Sequence, residues 1–177
     1  DQTAWIAGMQ YDPERPVIME THDGGKTWRS NPAVEESAFG FIEDMSVRIT
    51  DDGIVGWAVG SGGLLLKLVS AAEFTRSVSS ETPEVVLSGA PDGLPRSDLP
   101  LTFMWRRLDE FTFDSLYSVA VIDNERVHIA GEDNAIYRTL DAGSHFDISD
   151  IPGGCTMLNI QFVSTQVGLS ADECGGM

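Results

Sequence analysis

The segment Thr21-His-Asp-Gly-Gly-Lys-Thr-Trp28 decides the fold, because Thr139-Leu-Asp-Ala-Gly-Ser-His-Phe146 repeats its pattern. Each segment has a threonine, an aspartate two residues later, a glycine two residues further on and an aromatic residue at its end. A tight turn between strands needs a glycine that adopts positive φ and an aspartate whose carboxylate caps backbone N–H groups. We therefore predict two structural turns, each with its closing aromatic packed beneath it. The residues assigned to these turns are Asp23, Gly25, Trp28, Asp141, Gly143 and Phe146.

Three longer segments repeat a hairpin pattern. Residues 46–60, 118–131 and 159–171 each read as an alternating apolar strand, a polar turn and a second strand. Alternation of apolar and polar residues is typical of a strand with one buried face. The opening Ala4–Gly8 matches the second strand of this hairpin with no first strand before it. We therefore expect the chain to begin inside a repeat.

A third apolar strand follows each hairpin. These strands are residues 17–21, 64–68 and 135–139, and the first and last run directly into the predicted turns. After the middle one, residues 68–74 lack the aspartate and glycine, which indicates a degenerate copy. Eighteen glycines and eight prolines scattered between short apolar runs also favour strands over long helices. The predicted class is all-β.

The two turn segments resemble the Asp-box (BNR-type) repeats of sialidases, xyloglucan-degrading hydrolases, sortilin-type receptors and photosystem II assembly-factor-like propellers. The stretch Gly-Trp-Ala-Val-Gly-Ser-Gly-Gly at 56–63 looks most like the last group. This resemblance implies a β-propeller of four-stranded antiparallel blades. Blades of about 40–50 residues allow only three to four in this chain, so we expect an incomplete propeller. It would be a piece of a longer protein, an arc completed by another chain, or an arc whose two ends complete one blade.

Residues 77–100 depart from the repeat and contain four prolines. Such a stretch is typical of an inserted loop, with room for one edge strand. The following residues, 101–108, predict an outer strand in which Trp105 packs between blades rather than forming an exposed recognition patch. We expect residues 1–177 to form a single domain interrupted by this insertion.

The two cysteines flank the third hairpin. If its turn is centred between Ser164 and Thr165, Cys155 and Cys174 face each other across the strands. Cross-strand Cβ atoms lie about 4.5–5.5 Å apart, close to disulfide geometry, so we predict a disulfide and an oxidising compartment, extracellular or periplasmic. A one-residue bulge would undo this pairing, and two buried free thiols are the alternative.

The formal net charge of −17 disfavours nucleic acid and anionic membranes as partners. Membrane insertion is not expected either, since no run approaches the ~20 apolar residues of a span. An acidic surface attracts Ca²⁺ or basic proteins, but it also simply maintains solubility. The three histidines and two cysteines show no metal-ligand spacing, so we assign no metal site and no cofactor, with Ca²⁺ left open.

No catalytic constellation stands out in the sequence. Glycoside hydrolysis needs two carboxylates across a cleft, but Asp23 and Asp141 belong to the predicted turns. The resemblance also implies that a sialidase would show an arginine triad, a Tyr/Glu pair and a Phe/Tyr-Arg-Ile-Pro signature, and that signature is absent. We therefore expect a protein that is not an enzyme.

Propeller geometry directs attention to the loops that join strands two and three of each blade, around one mouth of the channel. Tyr11, Arg15, Glu132 and Asp133 are the polar candidates for ligand binding there, against the simpler view that each is a solvated loop residue. The expected function is a non-catalytic binding or assembly module for a protein or glycan partner. The alternatives are a fragment of a sialidase-like or xyloglucanase-like hydrolase and a structural component of an extracellular assembly.

Overall fold

A computed structural model describes residues 2–11, 14–31, 40–51, 53–70, 73, 103–108, 112–151 and 155–175. The predicted insertion at 77–100 lies outside the described residues. The described chain is built of β-strands with two 3₁₀ turns, Ser61–Gly63 and Glu132–Asn134, which confirms the all-β class. The strands are β1 (Ala4–Tyr11), β2 (Glu14–Thr21), β3 (Arg29–Ser30), β4 (Ile42–Thr50), β5 (Gly53–Gly60), β6 (Leu65–Ser70), β7 (Phe103–Arg107), β8 (Leu116–Val121), β9 (Val127–Gly131), β10 (Ala135–Thr139), β11 (Asp147–Asp150), β12 (Met157–Phe162) and β13 (Gly168–Asp172).

The strands form four sheets in which chain neighbours are also sheet neighbours. Their orders are β1-β2-β3, β4-β5-β6-β7, β8-β9-β10-β11 and β12-β13. Two of the sheets therefore have the four strands predicted for a blade, and hairpin pairs such as β4–β5 and β8–β9 are antiparallel. No helix in the described residues is long and apolar enough to cross a membrane.

The chain divides into two compact units, residues 1–39 with 68–107 and residues 40–67 with 108–177. In the first unit the carboxylate of Glu20 is fully buried on β2. It accepts hydrogen bonds from Arg29 Nε at 2.7 Å and from the Trp5 indole at 3.2 Å. A buried carboxylate is stable only when it is paired in this way. The predicted outer strand is β7 of the same unit, and its Trp105 is fully buried.

The second unit has its main core between the sheets of β5 and β8–β10. Trp57 is fully buried there and meets the ring of Phe146 edge-on, with centroids 6.3 Å apart. Aromatic pairs prefer this geometry to a face-to-face sandwich. The other members of the core are Val55, Val59, Leu65, Leu116, Val119, Val121, Val127, Ile129, Ala135 and Tyr137.

The first predicted turn has the hydrogen bonds that its sequence demands. The Thr21 hydroxyl donates to Asp23 Oδ1 and accepts from the Gly25 N–H, both at 2.9 Å. Asp23 Oδ1 also accepts from the Thr27 N–H at 2.9 Å. Gly25 has φ +88°, and its carbonyl accepts from the Trp28 indole at 3.1 Å.

The second predicted turn is built in the same way. Thr139 donates to Asp141 Oδ1 at 2.9 Å and accepts from Gly143 N–H at 2.8 Å, while His145 N–H donates to Asp141 Oδ1 at 2.9 Å. Gly143 has φ +89°. The turn differs at Ala142, which has φ 57° where the first turn has a glycine.

The hairpins β4–β5, β8–β9 and β12–β13 all carry a β-bulge near the start of their first strand. A bulge inserts one residue and re-aims the strand that follows. In each hairpin the first residue after the bulge that pairs with the second strand occupies an equivalent position in the three hairpins. These residues are Asp44, Ser118 and Asn159, and two positions further along lie Ser46, Ala120 and Gln161.

The sequence alignment of the first two hairpins is therefore two residues out of step, because it matched Ser46 with Ser118. The cause is turn length: residues 51–52 separate the last paired positions of β4–β5, whereas residues 122–126 separate those of β8–β9. An even shift keeps each side chain on the same face of the sheet, so the predicted burial pattern is unaffected.

The third hairpin contains the Cys155–Cys174 disulfide, with Cα atoms 6.1 Å apart. Its turn is centred on Thr165, since Phe162 pairs with Gly168. That is half a residue from the centre predicted. The bulge after Met157 shifts the register back by one, and the cysteines face each other as predicted.

Candidate functional site

A cleft of about 340 Å³ opens in the second unit between the first strands of its three hairpins, β4, β8 and β12. Its volume lies at the lower end of the range of small-ligand sites, ~300–1,000 Å³. The lining residues are Asp44, Met45, Ser46, Arg48, Ser118, Val119, Ala120, Val121, Asn159, Ile160, Gln161 and Phe162.

Strand alternation places the polar side chains of this cleft. Alternate residues of a strand share one face, so Asp44, Ser46 and Arg48 follow one another along β4. On β12, Asn159 and Gln161 have the same spacing. Each of these polar rows begins at the first paired residue after a bulge, so the two rows occupy equivalent positions on β4 and β12.

The gap between β4 and β8 is closed by hydrogen bonds from side chains of β4. Asp44 Oδ2 accepts from the Ser118 hydroxyl at 2.8 Å and from the Val119 N–H at 2.9 Å. Ser46 Oγ accepts from the Val121 N–H at 3.4 Å. One row of side chains therefore caps the backbone of the neighbouring strand.

At the far end of β4, Arg48 Nη1 donates to the Ile122 carbonyl at 3.0 Å. The guanidinium has five N–H donors and is exposed in the cleft. This bond leaves donors that can reach a ligand.

The gap between β8 and β12 is different. Ala120 packs with Met157 and Ile160 in a small apolar cluster. The side chains of Asn159 and Gln161 are exposed, and neither makes a hydrogen bond within the described residues. Two amide groups, each a donor and an acceptor, therefore face the cleft with their capacity unused.

The floor beside these amides is aromatic. The Phe162 ring packs against the His128 ring at a tilt of 38°, with centroids 4.5 Å apart. Burial lowers the pKa of His128, and the charges of Arg138 and Arg126 lower it further. The lowered pKa favours the neutral imidazole, which suits packing against an aromatic ring.

The charges of the cleft offset each other. Asp44 is the only carboxylate and Arg48 the only base among the lining residues, in a chain of formal charge −17. Asp44 also accepts from the Met45 N–H at 2.8 Å, so three protein donors occupy its oxygens. The arrangement suits hydrogen bonding to a polar ligand, whereas glycoside hydrolysis requires a second carboxylate.

Two of the sequence-predicted site residues lie in the first unit. Tyr11 ends β1 and is 82% exposed. Arg15 pairs with Gln10 across β1 and β2, and its Nε donates to Gln10 Oε1 at 3.0 Å. Neither residue lines the cleft, and a binding role for them stays a prediction.

The other two, Glu132 and Asp133, lie in the second 3₁₀ turn. The Glu132 carboxylate accepts from the Ser115 N–H at 3.0 Å and from the Tyr117 hydroxyl at 3.1 Å, which ties this turn to the start of β8. Burial raises the pKa of Tyr117, and the bond to Glu132 adds to the rise. Asp133 is exposed, with φ 52°. Neither residue lines the cleft, so a ligand-binding role stays a prediction here too.

Sequence reasoning missed the polar residues of the cleft. The sequence signal for these residues was the pattern Asp44-x-Ser46-x-Arg48 on the first strand of a hairpin. Alternation alone predicts only that these three side chains lie on the solvent-facing side of the strand. Only the contacts of β8 with β4 and β12 show that this side faces a cleft.

No protein-family model matches the chain, and no curated protein matches it significantly in sequence. Among solved structures it is similar to YCF48 from Cyanidioschyzon merolae, with 18% identity and a TM-score of 0.56. It is also similar to a structure of YCF48 bound to D1 peptide, with 16% identity and a TM-score of 0.55. Each likeness covers 90% of this chain and 42% of the other. The shared feature is the fold, a β-propeller. This chain spans less than half the length of either neighbour.

Proposed function

We propose that this chain is a non-catalytic binding or assembly module whose cleft in the second unit receives a segment of a protein partner. The observation that carries the proposal is the pair of exposed amides, Asn159 and Gln161, in one cleft with the guanidinium of Arg48. The two amides offer both hydrogen-bond donors and acceptors, and the guanidinium offers donors. Such groups suit binding of the N–H and C=O groups of a polypeptide and need no acid–base chemistry.

The choice of a protein partner draws support from one of the structural neighbours, which is described as bound to D1 peptide. That statement concerns YCF48. For this chain it supports only the class of ligand, because the likeness at 16% identity is one of fold.

We also propose that the two turn segments are Asp-box repeats with an architectural role. Their matching hydrogen bonds between threonine, aspartate and the backbone support this.

We also propose an extracellular or periplasmic location, supported by the Cys155–Cys174 disulfide. Alkylation and mass spectrometry of the protein from its native compartment would test this location, since free thiols there would contradict it.

The binding proposal is tested by selecting ten-residue peptides from a random display library on the folded protein. Replacing both Asn159 and Gln161 with alanine should weaken binding of the selected peptides about five- to 150-fold, since two hydrogen bonds contribute about 0.5–1.5 kcal/mol each. The matched control is Gln166→Ala, which removes the same amide from the exposed turn of the same hairpin, outside the cleft.

Three results would contradict the proposal: no selectable peptide, equal weakening by the control, or hydrolysis of a member of a sialoside and xyloglucan panel. Hydrolysis would favour the glycosidase alternative. Binding of glycans alone, without hydrolysis, would change the partner class from protein to glycan.

A further inference from the structure

The inner edge of β12, which faces the cleft, presents two backbone N–H groups. In an antiparallel hairpin, hydrogen-bonded and non-hydrogen-bonded residue pairs alternate. The Val163 N–H donates to the Val167 carbonyl at 3.0 Å, which fixes the phase of this hairpin. Ile160 and Phe162 therefore belong to non-hydrogen-bonded pairs, and their N–H groups point away from β13.

The same alternation on β8 can be checked against its contacts. The Ile122 N–H donates to the Arg126 carbonyl at 2.9 Å, so the N–H groups of Val119 and Val121 should point away from β9. They do, because Asp44 accepts the first and Ser46 the second.

On β12 the corresponding caps are missing. Ile160 is equivalent to Val119 and Phe162 to Val121, so the caps would come from Ser118 and Ala120 of β8. The Ser118 hydroxyl donates to Asp44, and within the described residues its oxygen accepts no hydrogen bond from the Ile160 N–H. Ala120 carries no side-chain acceptor for the Phe162 N–H. Within the described chain the N–H groups of Ile160 and Phe162 have no hydrogen-bond partner.

We propose, on the basis of the binding function above, that the ligand is an extended peptide lying along this edge. Its main-chain carbonyls accept from the N–H groups of Ile160 and Phe162, and its other polar groups bind the amides of Asn159 and Gln161. Two residues of a strand span about 6.6–6.8 Å, which is also the spacing of same-side carbonyls in an extended peptide. Recognition of this kind reads the main chain and tolerates many side chains.

The first test uses a selected ten-residue peptide, acetylated and amidated so that neither terminus is charged. Versions with N-methyl groups at odd positions or at even positions each block one edge of the extended peptide. One set should bind at least tenfold more weakly and the other about as well as the parent. Hydrogen exchange of the Ile160 and Phe162 amides should slow when the parent peptide binds, and without peptide it should be faster than that of Val119 and Val121.

The second test supplies the missing cap from within the protein. Ala120→Thr places a hydroxyl where the equivalent Ser46 caps its neighbour, and Ala120→Val is the control of the same shape without an acceptor. Peptide binding should be several-fold weaker in the threonine variant than in the valine variant. Equal affinities would overturn the capping argument.

The outcomes separate this inference from the function on which it rests. If no library peptide binds the folded protein, the binding function itself fails. If a peptide binds and is weakened by loss of Asn159 and Gln161, but both N-methyl sets bind alike and the Ile160 and Phe162 amides are unchanged, the binding function stands and the edge pairing is overturned.

Discussion

Ala142 occupies the left-handed region of backbone space, with φ 57°, whereas the first turn has Gly24 at φ 73° in the same place. That conformation costs a residue with a Cβ about 1–2 kcal/mol. Substitution by glycine removes this steric cost. The gain is partly offset because glycine loses more conformational entropy on folding than alanine does. Ala142→Gly should therefore raise the free energy of unfolding by about 0.5–1 kcal/mol in urea denaturation.

The control for this substitution is Ala171→Gly, at an exposed position of β13. Glycine in a strand weakens it by about 0.5–1 kcal/mol, so the same chemical change should have the opposite sign. Destabilisation by both substitutions would show that Ala142 is not strained.

The aspartates of the two turns make stability depend on pH. Hydrogen bonds from the Thr27 side chain and N–H lower the pKa of Asp23 to about 2, and those from His145 do the same for Asp141. An unfolded aspartate titrates near about 3.9. The folded pKa is the lower one, so this stabilisation is complete above pH ~4 and is lost as the pH falls towards 2.

Urea denaturation at pH 5, 4, 3 and 2.5 should therefore show falling stability for the wild type. Asp23→Asn with Asp141→Asn should be less stable at pH 5 and should show a shallower fall. An equally steep fall in the double variant would assign the acid sensitivity to other carboxylates.

At the scale of the element, the second turn contacts its neighbouring strand directly. A Cβ on Gly143 would lie 2.5 Å from Trp57 Cη2. Gly143→Ala should lower the free energy of unfolding by about 1–3 kcal/mol more than Gly25→Ala. The two glycines have φ +89° and +88°, but a Cβ on Gly25 meets nothing closer than 3.7 Å. Similar losses in thermal denaturation would mean that the turn does not rest on Trp57.

The third hairpin depends on its disulfide in a measurable way. Replacing Cys155 and Cys174 with serine should lower the free energy of unfolding by about 3 kcal/mol, the value for a loop of this length, since the two residues are 19 apart. Adding a reductant to the wild type should lower it by a similar amount and leave the double variant unchanged. A loss below about 1 kcal/mol would contradict this role.

Elements were the most predictable part of the molecule. The hairpins, the third strands and the two turns follow from alternation and from the pattern of threonine, aspartate and glycine. The bulges were not predictable, because Glu43, Tyr117 and Leu158 occupy them and share no chemistry. The disulfide was predicted correctly although two details of the register were wrong. The turn centre was placed half a residue too early and the bulge after Met157 was not foreseen, and these two errors cancel.

At the scale of the whole molecule, the cleft was out of reach of sequence reasoning. Asp44 and Ser118 are 74 residues apart in the chain, and nothing in either hairpin indicates that the two are neighbours. The resemblance instead directed attention to loops. Glu132, one of the residues chosen there, uses its carboxylate to hold the start of β8.

The charge of −17 is also a property of the whole chain. Raising NaCl from about 0.01 to 0.15 M shortens the screening length from about 30 to 8 Å, which should relieve self-repulsion and raise the thermal unfolding midpoint. KCl should act in the same way as NaCl. A larger rise with CaCl₂ than with MgCl₂ at matched ionic strength would indicate a specific calcium site, the one ion that the composition left open.

The alanine at position 120 has no hydroxyl to cap the N–H of Phe162, whereas the serine at position 46 caps the N–H of Val121. Any alanine codon becomes a serine or threonine codon by a single nucleotide change. In the proposed binding mode, an edge that accepts a peptide and an edge capped from within the chain are therefore one mutational step apart. If the edge binds peptide as proposed, a single substitution at position 120 is enough to change whether this site is available.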